Sequence, residues 1–234
     1  MKKTTIFIML ISLLVTSCNA QTKIDLLDIK LPAKSDLFLT DKYESNEFNS
    51  IMETGYSIYR SYDPNLLIFN KECMASNSFD RPNETSNYAL FYIKEENKLV
   101  SLIKMTSFET VKTKSLHETL LKKFGEPDYY ESISFASYSL WEDKTSNNIY
   151  LFEHNYGGEI NDVPVEEGLL YIIDVTDEQL FDKYAKSNYS YYRKYLNQRK
   201  LDGKDYSYQE FAKKKNEEGT SRYLEAISNP IKHK

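Results

Sequence analysis

Glycine, proline, cysteine and histidine are all scarce in this chain, which has seven, six, two and three of them among its 234 residues. With so little glycine and proline, and with 41% hydrophobic residues, the chain is expected to fold rather than to stay disordered. It contains no glycine-rich loop of the kind that cradles a phosphate group. These absences favour a folded domain that does not bind nucleotides.

Basic residues and long apolar runs are also in short supply. The 30 Lys and Arg residues are outnumbered by 35 Asp and Glu residues, and this negative balance argues against a nucleic-acid partner. The main apolar stretch lies within Thr4 to Ser17, which is shorter than the roughly 20 residues that a membrane-spanning helix needs. A transmembrane protein is therefore not expected.

The N-terminus has the order of a secretion signal. Lys2-Lys3 is followed by the apolar run Ile6 to Val15 and then by Thr16-Ser17-Cys18. A cysteine directly after Val-Thr-Ser resembles the lipobox of bacterial lipoproteins. In that family the signal is cut before the cysteine, which carries a diacylglycerol on its sulfur and an acyl chain on its amine. An uncleaved signal anchor and a conventional cut after Ala20 are the alternatives.

Lipidation of Cys18 implies a location in the cell envelope. Two or more acyl chains hold a protein stably on a bilayer, so the bilayer is the first expected partner. No cofactor is expected apart from the covalent lipid on Cys18. In the best-understood lipoproteins, an aspartate directly after the lipidated cysteine favours retention in the inner membrane. This chain has Asn19 at that position, so the same resemblance favours the outer membrane. Asn19 to Lys23 holds no acid that would favour export to the surface, so the periplasmic face is preferred. Cys73 is then the only free thiol, and no intramolecular disulfide can form.

The sequence divides into four segments. They are a lipoprotein signal peptide (1–17), a tether leading into the fold (18–50), an antiparallel α+β domain (51–176) and a tyrosine-rich helical segment (177–234). Strands before and after one helix favour an antiparallel sheet with helices packed on one face, the central helix among them. The C-terminal helical segment is expected either to pack on the sheet or to form a separate arm. The predicted elements are a hairpin of Tyr88–Lys94 and Lys98–Thr106, a helix at Ser115–Phe124, and strands at Ile133–Trp141, Asn148–His154 and Gly168–Val175, separated by polar loops.

Helix ends are signalled by capping residues. Ser115 and Glu118 form a Ser-x-x-Glu capping box, and Gly125 is the expected stop of that helix. A second box at Thr176 to Gln179 starts a helical pattern that continues to Gly203. A third begins at Ser207.

The phrase Leu120 to Pro127, which ends in Phe-Gly-Glu-Pro, resembles the helix-end phrase of small α+β envelope lipoproteins of the SmpA/OmlA type. Those proteins assist outer-membrane assembly and bind other proteins, so the resemblance implies a protein-binding role. It covers about a quarter of the chain at most, residues 115 to 175. That fold opens with helices, whereas strands come first here, and no functional residue is carried over.

Histidines provide few candidates for chemistry. His117-Glu118 begins like a zinc-protease helix, but Leu121 stands where the second histidine ligand must be. His233 lies in a polar tail. His154 ends a predicted strand just before Gly157-Gly158 and is the one candidate for a site rim, although an acid–base role requires a positioned partner.

No nucleophile or metal site is indicated. Gly55 to Tyr59 lacks the final glycine of a Gly-x-Ser-x-Gly elbow. Cys73 is a lone thiol without a paired histidine, and Asp202 to Asp205 lacks the ligand spacing of a calcium loop. The sequence favours a non-catalytic protein with no metal. The competing class is a hydrolase that uses His154 and a nearby carboxylate.

Tyrosine is the abundant aromatic residue, with 20 in the chain and eight between Tyr184 and Tyr223. Their spacing distributes Tyr189, Tyr191, Tyr192 and Tyr195 around a helix, so we expect that they cannot all face one core. Exposed tyrosines are enriched at protein interfaces, which predicts a protein partner. A membrane-tethered inhibitor or immunity-like protein and a glycan binder are the alternatives, and AT-rich coding would explain the tyrosines without any function.

Overall fold

The computed structural model describes residues 23–39, 55–77, 82–160, 162–186, 188–219 and 223. Its strands are β1 Ala33–Lys34, β2 Tyr56–Ser61, β3 Ile68–Phe69, β4 Glu72–Cys73, β5 Tyr88–Lys94, β6 Leu99–Ser107, β7 Tyr129–Ile133, β8 Ala136–Glu142, β9 Asn148–Ile160 and β10 Val163–Asp174. Its helices are a 3₁₀ turn at Ser35–Leu37 and α1 Thr110–Phe124, α2 Glu178–Tyr184, α3 Ser190–Asp202 and α4 Tyr208–Glu217.

An antiparallel sheet forms the centre of the fold. Seven of its strands run in the order β2-β5-β6-β10-β9-β8-β7, and β1 pairs with one end of β6. The short strands β3 and β4 form a separate two-stranded ribbon. The predicted α+β class, with an antiparallel sheet, a central helix and C-terminal helices, is confirmed.

The helices cover both faces of the sheet, whereas we expected them on one. Leu170 and Ile172 of β10 pack in the same core as α1, while Tyr171 and Ile173 pack with α2, α3 and α4. Successive side chains of a strand point to opposite faces, so a central strand that is apolar at every position needs cover on both sides. The C-terminal helices therefore pack on the sheet and do not form a detached arm.

Helix α1 lies close against the sheet. Gly168 of β10 permits this approach, because a Cβ atom there would lie 3.0 Å from Cγ2 of Thr113. At the other end of the helix, Nε1 of Trp141 donates a hydrogen bond of 2.9 Å to the carbonyl of Gly125. Both ends of α1 are thus fixed to the sheet, one to β10 and the other to β8.

The capping predictions were correct at some helix ends and wrong at others. Gly125, with a φ of 82°, ends α1 as expected, and Ser207 forms the predicted capping box with Glu210. The box at Ser115 was wrong, because α1 begins five residues earlier, at Thr110. Asp177, not Thr176, caps α2 by accepting a hydrogen bond from the backbone N–H of Leu180.

The boundaries of several elements also differ from the prediction. The predicted continuous helix to Gly203 is divided into α2 and α3, and the described residues between Tyr184 and Ser190 are not helical. The predicted strand Ile133–Trp141 is the turn and second strand of the hairpin β7–β8. Strand β9 does not end at His154 but continues to Ile160 and pairs with β10.

Candidate functional site

His154 lies on the α1 face of the sheet beside a carboxylate. Its Nε2 atom is 2.7 Å from Oε2 of Glu166, and the other carboxylate oxygen, Oε1, is 2.9 Å from Nζ of Lys114. The three side chains form a network that joins β9, β10 and α1. His154 is only 6% exposed, so this network is mostly covered.

The position of Glu166 depends on a bulge in β9 and on the first turn of α1. Two residues of β9, Tyr156 and Gly157, lie opposite Glu166 alone, and this shifts the register between β9 and β10. Its backbone N–H donates to Oγ1 of Thr110, and its carbonyl accepts a hydrogen bond from Oγ1 of Thr113. Glu166 thus ties the hairpin β9–β10 to α1.

The charges of the network follow from burial and hydrogen bonding. Burial lowers the pKa of His154, although its hydrogen bond with Glu166 opposes the change. Burial alone would raise the pKa of Glu166, but hydrogen bonds from Lys114 and His154 outweigh it and lower the pKa. A neutral imidazole beside an ionised carboxylate must donate through Nε2, which leaves Nδ1 as the acceptor.

Aromatic rings and one hydroxyl group surround His154. The ring of Tyr156 lies 4.4 Å from it between centroids, and His117 lies 6.1 Å away and stacks on Phe152. Ser137 is directly opposite His154 in the β8–β9 register, but its Oγ shares a hydrogen bond of 2.7 Å with the hydroxyl of Tyr156. The cluster holds an acid, an imidazole and a hydroxyl, which are the side-chain types of nucleophilic catalysis.

Two grooves among the described residues lie elsewhere. The larger one has a volume of about 580 Å³ and runs between α2 and α3, over Phe181 and Leu196. Arg193 forms an ion pair with Asp182 across it, with Nε 2.6 Å from Oδ1. A smaller groove lies between the end of α3 and α4. His154 lines neither of these grooves.

The tyrosines chosen as a partner-binding face are core residues. Tyr189, Tyr192 and Tyr195 are buried, and Tyr191 packs partly buried against the same cluster. The expectation that these four rings cannot share one core was wrong. The sheet, α4 and Tyr223 surround α3 on more than one side, so positions around the helix meet apolar neighbours.

The remaining predicted residues are outside the described part or show no site. Cys18 and His233 lie outside the described residues. Cys73 is exposed at the edge of the β3–β4 ribbon.

Among the described residues, no group of three or more His, Cys, Asp or Glu side chains is arranged to hold a metal ion. None of the described helices combines the length and the apolar character needed to cross a membrane.

No family model, curated protein or solved structure matches this chain.

One exposed surface is not predicted from the sequence. Beyond the ends of the neighbouring strands, residues 156–160 and 163–167 continue as a two-stranded ribbon, which we name the β9–β10 arm. Large apolar side chains are exposed on the arm and beside it, at Tyr156, Val163 and Phe135. Residues 155–167 fall in the polar loop predicted between two strands, because Gly157-Gly158 is a turn signal.

Proposed function

We propose that this chain is an envelope-anchored lipoprotein whose folded domain is a non-catalytic protein-binding module. The signal at residues 1–17 followed by Cys18 supports a lipid anchor, with the outer membrane and its periplasmic face preferred. The exposed apolar side chains of the β9–β10 arm are the observation that carries the binding role, because exposed apolar patches mark interaction sites.

The environment of His154 also supports binding over catalysis. His154 is buried, and its Nε2 is occupied by Glu166, which is held in turn by Lys114 and α1. This network accounts for the conformation of the hairpin without any reaction. A tethered inhibitor or immunity-like protein belongs to the same class of function. A glycan partner has less support, because the tyrosine rings expected to line a groove are buried.

The anchor is tested by replacing the lipidated cysteine. In the native host, we expect the mature N-terminal peptide to begin at Cys18 with the mass of attached acyl chains and the protein to sediment with membranes. The variant Cys18→Ser is expected to lose the lipid completely and to accumulate as the uncut precursor. Mass spectrometry of the N-terminal peptide measures both. A native N-terminus after Ala20 without lipid would reject the anchor.

The binding role is tested by affinity capture from solubilised envelopes with the lipidated protein as bait. A stoichiometric protein partner retained through washing at moderate salt is expected, and cross-linking mass spectrometry would locate its contact on the chain. Failure to retain any partner at native expression levels, in several growth conditions, would count against the module.

A hydrolase that uses His154 is the second candidate, favoured by the carboxylate found 2.7 Å from its Nε2. Ser137, across the β8–β9 pair, would be the nucleophile and His154 the general base. This arrangement requires Ser137 to leave the hydroxyl of Tyr156 and to reach Nδ1 of His154.

A fluorophosphonate probe, which modifies activated serines, separates the two candidates. If the chain is a binding module, labelling of the native protein is expected to equal that of Ser137→Ala. A hydrolase would instead be labelled, with the rate falling by about 10²-fold or more in His154→Gln, because a general base contributes 10²–10⁴-fold. Trypsin serves as the positive control, and circular dichroism confirms that both variants fold.

A further inference from the structure

The described part of the chain begins close to the proposed lipid anchor. Its first residue, Lys23, is five positions after Cys18. An extended chain advances at most ~3.6 Å per residue, so Lys23 lies within roughly 18 Å of the lipidated cysteine. Ile24 already packs against the core, and the N–H of Leu26 donates a 2.8 Å hydrogen bond to the carbonyl of Ile68. The chain that separates the anchor from the fold is therefore short.

The entry segment, residues 23–31, belongs to the layer on the α1 face of the sheet. Leu26 and Leu27 are buried in the same cluster as Leu116 of α1 and Leu170 of β10. Among the described residues, the cluster on the other face, which includes α2, α3 and α4, takes no side chain from the entry segment. The chain thus enters the fold on one face of the sheet only.

The β3–β4 ribbon lies directly beside the entry segment. Asp25 forms a parallel bridge with Ile68, and its carboxylate accepts hydrogen bonds from the backbone N–H groups of Asn70 and Lys71. Ile68 pairs in turn with Cys73. Because neighbouring strands lie about 4.8 Å apart, the backbone of Cys73 is within ~10 Å of Asp25. We name the entry segment and this ribbon together the tether face.

The opposite side of the molecule is farther from the tether face than the free chain can reach. Packed layers of secondary structure lie about 10 Å apart, and a helix with its side chains has a radius of about 5 Å. Two layer spacings and one radius place the outer surface of α3 roughly 25 Å from the tether face. The ~18 Å of chain between Cys18 and Lys23 is shorter than this distance. With Cys18 anchored, α3 therefore cannot rotate onto the bilayer.

The exposed charges of the tether face nearly balance. They are three lysines and two acids, namely Lys23, Lys30, Lys71, Asp28 and Glu72. Attraction to anionic lipid takes a cluster of about four to eight basic residues. The tether face therefore needs no anionic lipid to approach a bilayer, and the covalent anchor alone is expected to bring it there.

We propose that the tether face lies against the bilayer surface and that the face covered by α2, α3 and α4 points away from it. The proposal rests on the lipid anchor proposed above and adds an orientation to it. The two grooves beside α3 then open away from the lipid, towards other components of the compartment.

The test uses the lipidated full chain in nanodiscs of phosphatidylcholine, with a bimane dye on Cys73. This cysteine is exposed and is the only free thiol once Cys18 is acylated. The matched control, Cys73→Ser with Leu201→Cys, moves the dye to the exposed end of α3. Lipids with a nitroxide headgroup quench only nearby dyes, so we expect about threefold or more stronger quenching at Cys73, since α3 stays beyond the ~18 Å reach. Equal quenching at the two positions would overturn the proposal.

A longer tether tests whether chain length sets the orientation. Inserting about ten glycine and serine residues between Thr22 and Lys23 adds a maximum of ~35 Å of reach. Quenching at Cys73 is then expected to fall to the level of the α3 control, and unchanged quenching would overturn the tether as its cause. Adding phosphatidylglycerol to the nanodiscs is expected to leave the native signal unaltered. Quenching that appears only with this anionic lipid would also contradict the proposal.

Failure of the anchor is distinguishable from failure of the orientation. Mass spectrometry of the N-terminal peptide and flotation with the nanodiscs are carried out on each labelled protein, and circular dichroism confirms that each is folded. A folded chain without lipid would reject the anchor, and the orientation with it. A lipidated chain that floats but is quenched equally at both positions would overturn the orientation and leave the anchor intact.

Discussion

Replacing Tyr192 by alanine is expected to lower the free energy of unfolding by about 3–5 kcal/mol, the range found for removal of a large aromatic from a core. The ring is 1% exposed and packs against Tyr129, Tyr195 and Tyr208. Its hydroxyl donates a 2.7 Å hydrogen bond to Glu142. Urea denaturation followed by far-ultraviolet circular dichroism measures the effect.

Two phenylalanine variants test whether the buried hydroxyls differ as the structure shows. Tyr192→Phe removes a hydrogen bond to a carboxylate and is expected to cost about 1.5–3 kcal/mol. Tyr189→Phe is expected to be neutral or slightly stabilising, because no described group forms a hydrogen bond with the Tyr189 hydroxyl. Equal changes in unfolding free energy for the two variants would contradict the packing described for α3. An unchanged stability of Tyr192→Ala would show that this tyrosine is not a core residue.

These values also affect how binding experiments are designed. A variant with alanines at Tyr191, Tyr192 and Tyr195 would lose much of the core between α3 and the sheet. Loss of a partner from such a protein would report unfolding rather than a lost contact. The exposed residues of the β9–β10 arm are the better targets, because their side chains contribute little to the core.

Replacing Trp141 by alanine is the second large effect, with an expected loss of about 3–5 kcal/mol on the other face of the sheet. Trp141 is buried in the core beneath α1, and its Nε1–H satisfies the carbonyl of Gly125 at the helix end. Removal therefore leaves a cavity and a carbonyl without its partner. The conservative Trp141→Phe is expected to cost about 2 kcal/mol, since part of the ring volume remains.

The matched control for Trp141 lies on α1 itself. Val111 is highly exposed, and Val111→Ala is expected to change stability by less than about 0.5 kcal/mol, as surface substitutions do. Thermal unfolding, followed by far-ultraviolet circular dichroism so that the signal does not depend on tryptophan, compares all three variants with the native chain. A loss for Trp141→Ala no larger than that of Val111→Ala would show that α1 does not depend on this anchor.

The parts of the fold that sequence reasoning predicted are those specified by neighbours in the chain. The β5–β6 hairpin needed only two β-prone runs and a short turn, and it forms with Ala89 opposite Met105. Gly125 ends α1, since glycine readily adopts the left-handed φ at that position. Ser207 and Glu210 form their capping box because the two partners are three residues apart.

Only part of the candidate site could be predicted, because its residues are far apart in the sequence. His154 was identified, but its partner Glu166 was not, and Lys114 lies 52 positions from Glu166 on a different element. Only the register of β9 against β10 and the docking of α1 bring the three together. The β9–β10 arm was not predicted for a local reason. The pair Gly157-Gly158 is equally compatible with a loop and with a strand that another backbone approaches closely.

The amino-acid sequence by itself determined the antiparallel α+β class, the acidic charge and several helix ends, and it carries the prediction of a signal that ends before Cys18. Each of these depends on composition or on residues within a turn of one another. Only the tertiary structure decided that both faces of the sheet are covered, that Tyr189, Tyr192 and Tyr195 are core residues, and that the β9–β10 arm is not covered. Burial depends on which elements meet in space, and a helix whose tyrosines point in several directions can still be buried when neighbours surround it.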